Sequence, residues 1–142
     1  LTVAKRFPGT LVIGADQVED LDGTILGKPG SHVEAIKQLS AQSGRTMLFH
    51  CGLTVMRLDS AGHIEQNSRV NTTEVSFRTL SLQQIENYLR LDQPYDCAGS
   101  FKAEALGISL FTAVQSNDPS ALIGLPLIDC CSMLADFGMK IP

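Results

Sequence analysis

From Thr46 to Leu58 the side chains alternate with a period of two. Phe49, Cys51, Leu53 and Val55 fall on one face, and His50, Gly52, Thr54 and Met56 on the other. That period belongs to a half-buried strand, not to a helix. Asp59-Ser60-Ala61-Gly62-His63 then supplies turn chemistry, and Ile64 to Arg78 returns as a second extended run in which Val75 and Phe77 alternate with Glu74, Ser76 and Arg78. Two such runs joined by so short a turn pair as a long antiparallel hairpin with one wetter face. Any fold for this chain must be built around that hairpin.

The flanking segments alternate strand and helix. Leu1 to Arg6, running into Pro8-Gly9, reads as the tail of a helix before a turn. The branched apolar run Leu11-Val12-Ile13 predicts a buried strand over Thr10 to Ala15, which would present Asp16 and Gln17 just past its end. Glu19-Asp20-Leu21-Asp22-Gly23 is turn-like, Thr24-Ile25-Leu26 a short return strand, and Gly27-Lys28-Pro29-Gly30 a loop. Ligands in open α/β sheets bind beyond the carboxyl ends of strands, so Asp16 and Lys28 could together face a metal-bound phosphate. An Asp in that place is more often a turn or cap residue.

Ser31 with Glu34 has capping-box spacing and opens a helix whose stripe is Val33, Ile36 and Leu39, with Gly44 ending it. Ser81 with Gln84 opens a second, with Leu82, Ile85 and Leu89 as its stripe and Pro94 as its end. Asp96 to Gly107 has the composition of a loop that approaches something closely, and Ile108 to Val114 reads as a strand. Asn117-Asp118-Pro119 turns the chain. A last helix begins near Pro126, with Leu127, Cys130, Cys131, Leu134 and Phe137 facing inward and Gly138 stopping it. No repeat or low-complexity linker divides the chain, which predicts one domain over residues 1–142, an α/β fold with a mixed sheet, a long antiparallel hairpin and flanking helices.

Composition narrows the partners. At 142 residues, 44% hydrophobic and 18% charged, the chain is long enough for a core of its own. A net charge of -4 without any Lys/Arg cluster argues against a face for a nucleic-acid polymer or an anionic membrane, while a small anionic ligand needs only one or two local cations. Apolar runs are too short to span a bilayer and no signal peptide opens the chain, which points to a soluble cytoplasmic protein. Cys51, Cys97, Cys130 and Cys131 form no CxxC pair and read as buried free thiols. His32, His50 and His63 lack zinc-ligand spacing, and no cysteine has the paired histidine that a thiol hydrolase needs.

Gly14-Ala15-Asp16-Gln17, Leu26-Gly27-Lys28-Pro29, Phe77-Arg78-Thr79-Leu80, the run from Cys97 to Gly107 and Gly124-Leu125-Pro126-Leu127 occur in one order over nearly the whole chain. Together they resemble the Maf family, once called septum formation inhibitors and known as nucleoside triphosphate pyrophosphatases. Asp16-Gln17 and Gly99-Ser100-Phe101-Lys102-Ala103-Glu104 are most similar to its 7-methyl-GTP branch. The resemblance implies a Maf/ITPase-like fold and hydrolysis between the α and β phosphates with a divalent metal, magnesium or manganese. By motif position Asp16 corresponds to the proton acceptor and Lys28 to the lysine near the phosphates; Asp16 either activates the water directly or holds the metal that does so. Gln17 and Glu104 fall on positions that govern base choice.

Those residue types suit the chemistry. Attack of water on a polyanionic phosphorus needs a proton removed and charge neutralised, which a carboxylate, a metal and an ammonium supply. An ionised Glu104 offers acceptors to the N1 and N2 hydrogens of guanine, and methylation at N7 adds ring charge that a carboxylate attracts. Lys102 is read either as a solvated or as a phosphate-facing group, and Arg78 as paired either with Glu74 or with phosphate. The family's opening Ser/Pro motif with paired arginines, and a further acidic residue, fall before Leu1, so the resemblance implies a chain without its first strand and helix, and with weakened phosphate grip. Such a chain would expose a sheet edge and is expected to pair as a homodimer. The rival reading is a non-catalytic nucleotide-binding or interaction protein linked to division control.

Overall fold

The computed structural model describes all 142 residues and has the expected α/β architecture. Four α-helices, α1 (Thr2–Arg6), α2 (His32–Gln42), α3 (Leu82–Asp92) and α4 (Leu127–Asp136), accompany five strands. These are β1 (Leu11–Leu21), β2 (Thr24–Leu26), β3 (Thr46–Leu58), β4 (Ile64–Phe77) and β5 (Phe111–Gln115), ordered β2-β1-β3-β4-β5 in one sheet. The long hairpin is β3 and β4, with bounds within a residue of those the periodicity gives. No helix is long and apolar enough to cross a membrane.

Two element ends differ from the sequence reading. β1 does not stop at Ala15 but continues to Leu21, because Glu19, Asp20 and Leu21 pair antiparallel with Leu26, Ile25 and Thr24. The reversal falls instead on Asp22 and Gly23, both at positive φ, with Asp20 Oδ1 accepting from the Gly23 amide at 2.6 Å. Asp16 and Gln17 are therefore mid-strand residues. β5 begins at Phe111 rather than Ile108, since Leu106–Leu110 form a 3-10 turn.

The helix stripes are met in part, with Leu39 on α2 and Ile85 and Leu89 on α3 buried as expected. α2 buries Ala35, Leu39 and Gln42, an i, i+4, i+7 row, and leaves Val33 exposed. Its Ser31 cap accepts from the Glu34 amide, but the Glu34 carboxylate turns to Lys37 at 2.6 Å instead of closing the box. α3 does close its box, through Ser81 and Gln84, and buries Ile85, Tyr88 and Leu89 while Leu82 stays exposed.

The chain forms two compact units, the first from Leu1–Gln17, Cys51–Asn71 and Asp118–Pro142, the second from Val18–His50 and Thr72–Asn117. In the first, Leu53 and Val55 pack with Cys130, Met133 and Phe137 of the α4 segment. Of the expected stripe, Cys130, Leu134 and Phe137 face this core, while Leu127 and Cys131 point outward and Met133 is buried as well. All four cysteines are free, as their spacing implies, yet only Cys51 and Cys130 are buried.

α4 starts at Pro126, which has no side-chain cap to offer. The orphan amides of its first turn are satisfied from elsewhere: Ser120 Oγ accepts from Leu127 N at 2.8 Å and Asp118 Oδ2 from Ile128 N at 2.6 Å. Asp118 is 2% exposed and its other oxygen accepts from Ser120 N and Oγ. Burial pushes its carboxyl up, but the hydrogen bonds from Ser120, Ile128 and Asp129 outweigh it and the net direction is down. One carboxylate thus caps two elements. Asp118→Ala should cost roughly 2–4 kcal/mol in urea denaturation near neutral pH, because buried amides lose their acceptor.

Candidate functional site

In the first unit, Asp16 is exposed, and its Oδ1 accepts the Gln17 amide at 2.9 Å. Its side chain makes no other hydrogen bond, which leaves acceptor capacity facing solvent. Gln17 is half-buried, and its Nε2 donates to the Ala121 carbonyl at 3.0 Å. The amide nitrogen therefore ties β1 to the 3-10 turn Pro119–Ile123, while the amide oxygen can still accept. Behind them Cys51 donates to Gly124 O at 3.3 Å. Burial, and then the carboxylates of Asp16 and Asp118, push the Cys51 thiol up, so it stays protonated and is no nucleophile.

The remaining candidates lie in the second unit. Lys28 is exposed, and the loop carrying it is pinned on both sides: Gln38 Nε2 donates to Gly27 O at 3.0 Å, and Gly30 N to Tyr95 O at 3.0 Å. Tyr95 is itself fixed, its hydroxyl 2.9 Å from His32 Nδ1, with His32 Nε2 3.0 Å from the Glu86 carboxylate.

Glu104 sits on a closed turn. Lys102 O accepts from both Ala105 N at 3.3 Å and Gly107 N at 3.0 Å. A Cβ at Gly107 would collide with the Lys102 backbone, so only glycine closes the turn this tightly. Below it, Phe101 is buried among Phe49, Phe77 and Phe111 in edge-on contacts with centroids 5.1–5.6 Å away. Tyr88 Oη accepts from Lys102 N at 3.0 Å, and burial holds that phenol protonated well above its ordinary range. Glu104 is left exposed at the tip, with Ala105 and Leu106 beside it.

Two residues read as possible phosphate contacts are engaged elsewhere. Lys102 Nζ donates to the Asp92 carbonyl at the C-terminal end of α3, at 3.1 Å, where the helix dipole also favours a cation. Arg78 Nε donates to Ser109 O at 3.1 Å.

The sequence reading did not single out Glu19. It is 3% exposed, with Oε2 making no hydrogen bond, and burial raises its carboxyl from 4.5 to about 8. The carboxyl fills the space beside Gly99, where any Cβ would overlap it. Gly99 and Ser100 both lie at positive φ. An acid at an inward strand position with glycines far along the chain carries no local signal, since only the fold brings them together.

No group of three or more His, Cys, Asp or Glu side chains is placed to hold a metal ion. Magnesium and manganese bind through one or two carboxylates together with substrate phosphates. Asp16, exposed and with free acceptor capacity, is the residue of this kind among the candidates.

A family model described as Maf-like protein matches residues 1–137. The chain is 50% identical over 141 residues to a 7-methyl-GTP pyrophosphatase of Xanthomonas axonopodis pv. citri, covering 99% of this chain and 72% of that protein. It is 49% identical over 139 residues to a protein of the same description from a Polaromonas species, covering 98% and 62%. For the one from Hahella chejuensis the identity is 45% over 148 residues, covering 99% and 69%. The chain thus spans about 62–72% of the length of these relatives.

Glu19 sets a stability prediction. An unfolded chain ionises it near 4.5 and the native chain only near 8, so native stability falls as pH rises between those values, by about 1.4 kcal/mol per unit. Glu19→Gln should therefore raise stability by roughly 2–4 kcal/mol at about pH 8 and by less than about 1 kcal/mol at about pH 5, measured by guanidinium denaturation.

Proposed function

The chain belongs to the Maf-like family, and from that premise we propose that it hydrolyses 7-methyl-GTP, or a closely related modified nucleotide, to the monophosphate and pyrophosphate. The observation that carries the choice of base is Glu104, an exposed carboxylate without an ion pair, held on a turn closed by two hydrogen bonds to Lys102 O. A carboxylate accepts from the N1 and N2 hydrogens of guanine and is drawn to the positive charge that N7 methylation leaves on the ring. Gln17, with its amide oxygen uncommitted, is the second residue assigned to base choice.

In this reading Asp16 accepts the proton of the attacking water, a new bond forms to the α phosphorus, and the α–β bridging oxygen leaves with pyrophosphate. Lys28 offsets charge on the phosphates as a mobile ammonium on a fixed loop. A magnesium or manganese ion arriving with the nucleotide would be held in part by Asp16 and would neutralise charge that develops on the phosphate oxygens. Cys51, Cys97 and Cys130 take no part, since burial pushes their thiols up and keeps them protonated.

Two further parts of the proposal concern the setting. A cytoplasmic location follows from the substrate class. Self-association as a homodimer is supported by Leu1, Val3 and Ile13, exposed apolar side chains of the first unit, and is checked by analytical ultracentrifugation.

The test is pyrophosphate release from 7-methyl-GTP, GTP, dTTP and UTP with magnesium or manganese. Cleavage of 7-methyl-GTP should be fastest, and Asp16→Asn should lower kcat by about a hundredfold or more without loss of thermal stability. Glu104→Gln should lower the ratio of kcat/KM for 7-methyl-GTP over GTP by about tenfold. Should none of the four triphosphates be cleaved, while 7-methyl-GTP still binds in calorimetry, the enzyme reading falls and non-catalytic nucleotide binding replaces it.

A further inference from the structure

Within the second unit three hydrogen bonds run from α2 into two loops. Gln38 Nε2 donates to Gly27 O at 3.0 Å, Ser100 Oγ donates to Gln38 Oε1 at 2.6 Å, and Gln42 Nε2 donates to Gly99 O at 2.8 Å. The Gln38 amide has one workable orientation. Gly27 offers a carbonyl that can only accept, so the nitrogen must face it, and the oxygen is left for the Ser100 hydroxyl. The result is a one-way relay from Ser100 through Gln38 to Gly27.

Both ends of that relay matter. Lys28 follows Gly27 directly. Ser100 is fully buried at φ 66, a left-handed conformation that a serine adopts only when its surroundings impose it. From Ser100 the chain passes through the anchored Phe101 and Lys102 straight into the turn bearing Glu104.

We infer that Gln38 is a positioning residue: its one amide fixes the loop of Lys28 to the turn of Glu104, so that phosphate grip and base recognition are set together. The inference rests on the roles given above to Lys28 and Glu104. A plain packing role for Gln38 predicts lost stability and nothing else. A positioning role predicts a change in substrate preference, because Glu104 shifts against the base, and a rise in KM at nearly constant melting temperature.

The relay's direction supplies a sharper readout. Gln38→Glu keeps an acceptor for Ser100 but, when ionised, sets a second acceptor against Gly27 O; once protonated, it regains a donor there. Gln38→Met has neither group at any pH.

The experiment measures kcat and KM for 7-methyl-GTP and GTP, with melting temperature, for the unaltered chain, Gln38→Met, Gln38→Glu, Ser100→Ala and the Gln38→Met/Ser100→Ala double variant. Amide hydrogen exchange over residues 27–30 and 97–105 accompanies it. Gln38→Met should lower kcat/KM for 7-methyl-GTP by about three- to tenfold, mostly through KM, and narrow its preference over GTP. Ser100→Ala should add little on top of Gln38→Met, because both break one relay. The deficit of Gln38→Glu, relative to the unaltered chain at the same pH, should shrink as pH falls from about 6 to about 4, the range in which a glutamate gains its proton, while that of Gln38→Met stays flat. Exchange should quicken in both segments at once.

Additive losses, an unchanged preference, or faster exchange in one segment only would overturn the inference. If the unaltered chain cleaves neither nucleotide, the proposed activity fails on its own account, and the exchange result alone decides whether Gln38 couples the loops.

Discussion

Phe101 is the residue on which the second unit's loops depend. Its ring is 5% exposed and meets Phe49, Phe77 and Phe111 edge-on, so one loop residue is built into the aromatic core made by β3, β4 and β5. A loop with its own core residue is anchored at that point. On one side of Phe101 the chain takes the left-handed turn at Gly99 and Ser100, and on the other it closes on Lys102 O before reaching Leu106. Glu104 is exposed because everything around it is committed.

The first unit solves a different problem by similar means. A proline at the start of α4 leaves the helix without a side-chain cap, and Asp118 and Ser120 fill that need from the preceding 3-10 turn. Asp129, one residue further into the helix, is held by Arg69 at 3.0 Å and Asn71 at 3.2 Å from β4. Gln17 then ties β1 to the same turn. The strand that carries Asp16 is thereby fixed to the helix through polar contacts as well as through the core around Met133. Neither set of ties uses the carboxylate of Asp16 beyond one bond to its neighbour's amide.

How legible this was in the sequence depends on the range of the signal. The hairpin was plain because period two persists over both strands, and the Ser81–Gln84 cap was plain because its partners are three residues apart. β1 was read too short since its continuation depends on pairing with Leu26, Ile25 and Thr24, which no local preference reports. Turn residues such as Asp20 and Asp22 looked like a loop, and they do reverse the chain, only later than Glu19 suggests. On α2 the apolar pattern locates Leu39 but also includes the exposed Val33, and it passes over Gln42, which is polar and fully buried. Polar residues that bury in order to hold a loop are invisible to a hydrophobic pattern. Asp16, Lys28 and Glu104 were singled out by motif, but Glu19, Gln38 and Asp118 had no motif to speak for them.

Those three share a physical character that explains why the pattern misses them. Each spends its polar atoms on backbone or buried space that another part of the chain supplies. Glu19 goes furthest, since its burial opposes ionisation and lowers stability at neutral pH, yet its carboxyl occupies the volume that Gly99 leaves open. Ser100, at positive φ, adds strain on the same turn. A turn burdened twice persists only if other contacts over-determine it, and here these are Phe101 in the aromatic core, Gln42 on Gly99 O and Gln38 on Ser100 Oγ. With several independent ties, loss of any one leaves the fold intact but shifts the loop, so substitutions in this region should act on substrate preference before they act on folding.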